Sequence, residues 1–162
     1  MSAAKTGTTL SVTLPSDREI RLTRVFTAPR SILFEAMSKP EHVAQWWGPR
    51  GYSMTVSAMD FRPGGAYRFV HRAPDGNEFA FRGEYREIVP PERVVQTFEW
   101  EGLPGHISVE TMTLDERDGK TTLTVNSVFA SVEDRDGMLQ SGMEQGAGES
   151  YDRLEEFVQT FA

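Results

Sequence analysis

From Arg18 to Phe26 the chain reads REIRLTRVF, with Ile20, Leu22 and Phe26 on one face and Arg21 and Thr23 on the other. A period of two marks a half-buried strand. The pattern then changes. Ala28-Pro29 opens a helix, because proline suits a first helical position, and SILFEAM (31–37) carries it. Lys39-Pro40 breaks that helix, Glu41 to Trp46 form a short second one, and Gly48-Pro49 ends it. Strand patterns follow at 53–61, 66–72, 78–88, 93–100, 106–114 and 120–129. Turn signals part them, among them Arg62-Pro63-Gly64-Gly65, Ala73-Pro74-Asp75-Gly76 and Asp118-Gly119. Connections this short predict an antiparallel meander. TLSVTL (9–14) alternates weakly and can add an edge strand. The small, polar segment 1–17 that contains it is expected to be flexible.

Beyond Phe129 the period lengthens to three and four. Ser131 and Asp134 fit a capping box. Leu139, Met143, Ala147, Ser150, Leu154, Phe157 or Val158, and Phe161 then share one stripe. The spacing predicts one amphipathic helix of about 30 residues. Gly137, Gly142, Gly146 and Gly148 lie in its first half, and each costs roughly 1 kcal/mol against alanine in a helix interior. Either the helix breaks there or small residues are needed where it crosses something. The resulting order is strand, two helices, six strands, long helix. An antiparallel sheet with one apolar face needs a cover, and the C-terminal helix is the only element long enough. The expectation is one α+β domain over 18–162, with a cleft between sheet and helix that suits a small molecule.

Strand parity nominates the walls of that cleft. Tyr67, Phe69 and His71 share a face, as do Phe79, Phe81, Gly83 and Tyr85. So do Val94, Gln96, Phe98 and Trp100, then Ser108, Glu110, Met112 and Leu114, then Leu123, Val125, Ser127 and Phe129. The candidate ligand contacts are Phe69, His71, Phe81, Tyr85, Gln96, Phe98, Trp100, Glu110, Met112 and Ser127 from the strands. Met143 and Ala147 join them from the helix, and Trp46 and Trp47 from the segment before Gly48. Consecutive helical residues point roughly 100° apart, so one of the paired tryptophans can enter the core while the other caps the cavity mouth. Plain packing of two large rings is the simpler account of the pair. His71, Gln96 and Glu110 interrupt otherwise apolar stripes. A buried carboxylate needs a partner or a raised pKa, and polar groups converging in an apolar pocket suit acid/base work or ligand anchoring. Glu110 and His71 are the catalytic candidates. The competing reading places these groups near strand ends, in reach of water, or shifts the register by one.

Composition narrows the classes. The chain has 162 residues, a formal net charge of −7 and no cysteine. Disulfides and thiolate chemistry are excluded, and an acidic balance argues against general nucleic-acid binding. His42, His71 and His106 lack ligand spacing, so no metal and no other cofactor is expected. The N-terminus shows no signal-peptide core and no run is long enough to insert in a membrane, which makes a cytoplasmic location the default. A homodimer through exposed sheet edges is an open expectation.

RVFTAPRSILFEAM, WWGPRGY, FRPGGAYRF, PDGNEFAFRGEYREIVPPERVV and SGMEQGAGESYDRLEEF, in that order, resemble the activator-of-heat-shock-ATPase-homologue-like family. That family belongs to the START-like superfamily, also called SRPBCC or polyketide-cyclase-like. The resemblance covers about residues 15–161. It implies a helix-grip (START/Bet v-like) fold: a curved antiparallel sheet of six to seven strands around the C-terminal helix, with an internal cavity. It brings no catalytic triad. The family takes its name from the C-terminal domain of a eukaryotic co-chaperone, and this chain lacks room for that protein's separate N-terminal domain. Many relatives carry tryptophan in the last helix where this chain has Ala147. Three functions are therefore carried forward: binding of a small hydrophobic molecule, a stress-related module that regulates a chaperone ATPase, and a cyclase- or hydrolase-type enzyme.

Overall fold

A computed structural model describes residues 9–161. Eight strands form one antiparallel sheet: β1 (Ser11–Thr13), β2 (Glu19–Phe26), β3 (Ser53–Met59), β4 (Ala66–Arg72), β5 (Glu78–Val89), β6 (Arg93–Trp100), β7 (Ser108–Arg117) and β8 (Lys120–Val128). Their order across the sheet is β1-β2-β8-β7-β6-β5-β4-β3. The six later strands run as the expected meander, and β2 closes on β8. Helices α1 (Arg30–Ser38) and α2 (Pro40–Trp46) fill the excursion between β2 and β3, and α3 (Val132–Gln140) and α4 (Met143–Val158) follow β8.

Two expectations change. The sheet has eight strands rather than six or seven, because Ser11–Thr13 pairs with Arg21–Thr23 of β2. The ordered fold thus takes in part of the segment expected to be flexible, while residues 1–8 of that segment lie outside the described residues. The C-terminal helix is also not continuous. Ser131 caps α3 by accepting from the Asp134 N–H at 3.0 Å, as the capping box predicts. At the other end Gly142 adopts φ +85°, a left-handed conformation that ends α3 before α4 begins. Of the two readings of the glycines, the break is the one realised, and Gly142 makes it.

The apolar stripe of α4 buries Leu154 and Val158 against Ile20, Phe26, Leu33 and Leu123. Polar clamps then fix the helix over the sheet. Arg24 is only 3% exposed on the inner face of β2; it pairs with Asp152 at 3.2 Å and donates to the Tyr151 carbonyl. The Glu155 carboxylate accepts from the Thr27 N–H and hydroxyl. Arg153 donates to the carbonyls of Gln45, Gly48 and Pro49. Ser150, buried at the crossing, accepts from the Gly48 N–H at 3.1 Å and donates to the Trp46 carbonyl at 3.2 Å.

Ser150→Ala leaves that buried N–H and carbonyl without their partner, a cost of about 1–3 kcal/mol. Urea unfolding should show a lower midpoint at unchanged slope. A loss below about 0.5 kcal/mol would mean that Ser150 does not hold the 46–48 segment to the helix.

Candidate functional site

Sheet curvature and the helix break leave a cavity of about 300 Å³ between α4 and the inner face. This is within the range of small-molecule pockets. Register dictates its walls. Ile20, Ser127, Glu110, Gln96 and Tyr85 lie side by side across β2, β8, β7, β6 and β5. The neighbouring row of the wall is wholly apolar: Leu22, Val125, Met112 and Val94. Tyr67, Phe69 and His71 continue the wall on β4, and Trp46 and Trp47 enter from the end of α2. Met143, Gly146 and Ala147 close it from the first turns of α4.

All the nominated residues line this cavity except Phe81 and Trp100. Phe81 lies beside Phe69 in the sheet, covered by Phe98 at 5.4 Å and Trp47 at 5.2 Å. Trp100 has the right parity but lies at the end of β6, where the strand runs past the rim. It is 40% exposed and covers Gly102 instead. Tyr67, Ser108 and Tyr151 are among the wall residues outside the nominated set. Tyr67 and Ser108 were read on the correct faces but not carried into the set. Tyr151 was missed because the helical stripe was taken through Ser150, although four residues beyond Ala147 falls on Tyr151.

The paired tryptophans divide their work. Trp46 is 4% exposed; its indole N–H donates to the Ala36 carbonyl at 3.0 Å and its ring stacks on Tyr151. Trp47 is half-buried among Phe69, His71 and Phe81. Both rings still reach the cavity. Gly48 then turns the chain at φ +105°, and a Cβ there would meet His71 Nδ1 at 2.7 Å. Glycine is thus required by both backbone conformation and space.

Glu110 is the chemically distinctive wall residue. It is half-buried and lines the cavity from β7. Gln96 donates to it at 3.3 Å, and Ser127 supplies a second hydrogen bond. Burial outweighs both and pushes the carboxyl up to about 7. The Tyr67 hydroxyl donates to the Thr97 carbonyl at 2.6 Å and receives the Gln96 amide at 3.4 Å. Burial raises the pKa of Tyr67, Tyr85 and Tyr151, so all three phenols stay neutral. His71 shifts the other way: burial, helped by the Arg153 charge, lowers its pKa and keeps the ring neutral. Its Nδ1 has no hydrogen-bond partner.

Glu110 and His71 do not form a pair. The row of Glu110 meets β5 at Tyr85, whereas His71 sits three strands away and pairs with Phe79, six positions along β5. At about 3.3 Å per residue that is roughly 20 Å along the strand, so one reacting bond cannot reach both. Among the described residues no group of three or more His, Cys, Asp or Glu side chains could hold a metal ion. No helix among them is long and apolar enough to cross a membrane.

The family model described as "Activator of Hsp90 ATPase homolog 1-like protein" matches residues 27–159. The chain belongs to this family. Solved structures agree with the helix-grip fold. A Chromobacterium violaceum protein is 30% identical, with a TM-score of 0.78 over 89% of this chain and 99% of its own. A Rhodobacter sphaeroides protein is 25% identical, with a TM-score of 0.85 over 94% and 99%. An Arthrobacter aurescens protein reaches a TM-score of 0.86 at 22% identity over 96% and 94%, a likeness of fold. No curated protein matches the chain. Activator-of-Hsp90-ATPase-homologue-like domains share a fold that commonly binds hydrophobic ligands.

The displaced pKa of Glu110 has a consequence for stability. The unfolded chain releases this proton near 4.5, whereas the folded chain holds it to about 7. The fold therefore loses stability as pH rises through that window, and the loss is complete above 7. Glu110→Gln removes it. At pH 8 the variant should be more stable than the parent by on the order of 3 kcal/mol, and at pH 4 the two should coincide. Denaturant unfolding at both pH values checks this; equal stability at pH 8 would show an unperturbed carboxyl.

Proposed function

We propose that this protein binds a small hydrophobic molecule between α4 and the sheet. The observation that carries this is the roughly 300 Å³ cavity, walled by aromatic and methionine side chains with a few polar groups gathered in one row. Met37, Met59, Met112, Met138 and Met143 all reach it, and unbranched thioethers adapt to irregular ligands. A second reading is favoured by Glu110 alone. A carboxyl pushed up to about 7 inside a cavity is suited to take or give a proton near neutral pH. The protein would then transform the molecule it binds, and a Glu110→Gln variant with undiminished turnover would remove that reading. Regulation of a chaperone ATPase rests on the family description. An unchanged ATPase rate on stoichiometric mixing with a purified chaperone of that class would count against it.

Native mass spectrometry of freshly purified protein, set against the denatured mass, tests the leading reading. A non-covalent adduct of a few hundred daltons is expected, since pockets of this class hold molecules of that size. Ala147 lines the cavity from α4. Ala147→Trp should fill that space and abolish the adduct while the far-ultraviolet circular dichroism stays unchanged. An adduct that survives in the folded variant would place the ligand elsewhere.

A further inference from the structure

We propose that the cavity selects hydrophobic molecules carrying a single protonated amine, docked on Glu110, and rejects organic anions. The inference deepens the ligand-binding reading and rests on it. Three observations support it. First, among the described residues no lysine or arginine lines the cavity, and Glu110 and His71 are the Asp, Glu, His, Lys or Arg side chains on its wall. The guanidinium groups packed nearest α4 are engaged elsewhere: Arg24 with Asp152 and the Tyr151 carbonyl, Arg153 with three carbonyls of the 45–49 segment. His71 is neutral and stands at the far end. Above about pH 7 an entering carboxylate would meet the Glu110 charge and, among the described residues, no lysine or arginine side chain on the wall.

Second, Glu110 has acceptor capacity to spare. Gln96 and Ser127 supply two hydrogen bonds, whereas an ionised carboxylate offers about four acceptor sites. A buried carboxylate with unused sites is stabilised most by a charge-assisted donor. Third, the surroundings suit a cation. Tyr67, Tyr85, Tyr151 and Trp46 present ring faces or edges to the same cavity, and aromatic faces attract ammonium groups in desolvated sites. The phenols nearest Glu110 stay neutral and add no charge of either sign.

No bond is made or broken in this proposal, but a proton moves. An ammonium ligand favours the ionised carboxyl, so binding below about pH 7 releases the proton that Glu110 holds in the empty protein. Amine affinity should therefore fall as pH drops below about 7, by up to tenfold per unit, whereas the affinity of a neutral ligand should not.

Calorimetric titration with three probes of one shape tests this: 2-(2-naphthyl)ethylamine, 2-(2-naphthyl)ethanol and 2-naphthylacetate. At pH 8 the amine should bind the parent protein about tenfold or more tighter than the alcohol, as one charge-assisted hydrogen bond implies. The carboxylate should bind weakest. In Glu110→Gln the amine's advantage should vanish, and retained alcohol binding would show that fold and cavity survive. Carboxylate binding as tight as that of the amine would overturn the inference, as would an amine preference that persists in the variant. Equal binding of all three would overturn the selectivity and leave the ligand-binding reading standing. If none of the three binds, both fall.

Discussion

The structure depends on one constraint: a helix must be held across a concave sheet without filling it. Apolar packing alone would draw the two together until the space closed. Here the fully buried apolar positions of α4 are confined to its second half, where Leu154 and Val158 meet the core. Polar contacts at Ser150, Asp152, Arg153 and Glu155 then fix the crossing. The Arg24–Asp152 pair has one partner almost fully buried and the other half-exposed. Part of its charge is therefore still solvated, which lowers the cost of burying the guanidinium. The first turns of α4 turn Met143, Gly146 and Ala147 toward the cavity beneath them.

Charge placement inside the cavity follows from strand register. Antiparallel pairing sets Glu110 beside Gln96 and Ser127 in one lateral row. A shift of one residue in β7 would turn the carboxyl to the outer face. The apolar row next to it gives the cavity a greasy body with one polar band. Such a wall separates two tasks. The apolar surface supplies affinity through burial, and the polar band supplies orientation and selectivity.

Much of this was legible in the sequence, for identifiable reasons. The meander strands alternate cleanly because one face is buried and the other solvated, and their turns carry Gly, Pro and Asp. Parity therefore placed His71, Gln96 and Glu110 on the inner face. What parity could not supply was extent. Trp100 obeys the alternation of β6, yet the strand outruns the cavity. Arg24 alternates with Leu22 and Phe26 but reads as a solvent-facing charge until Asp152, 128 residues later, is brought against it. Tyr151 was obscured by a choice between two adjacent positions of a helical stripe. The helix break at Gly142 was visible only as one of four glycines, because nothing local shows which one adopts positive φ.

The division of α4 into a fastened half and a lining half also bears on how such a protein can change. Residues from Ser150 onward answer to the sheet and to the Trp46–Pro49 segment, so a substitution there disturbs folding. Met143, Gly146 and Ala147 carry none of the polar clamps and face the cavity. Descendants can exchange bulk at those three places, and with it the guest they admit, while the architecture goes on being inherited unchanged.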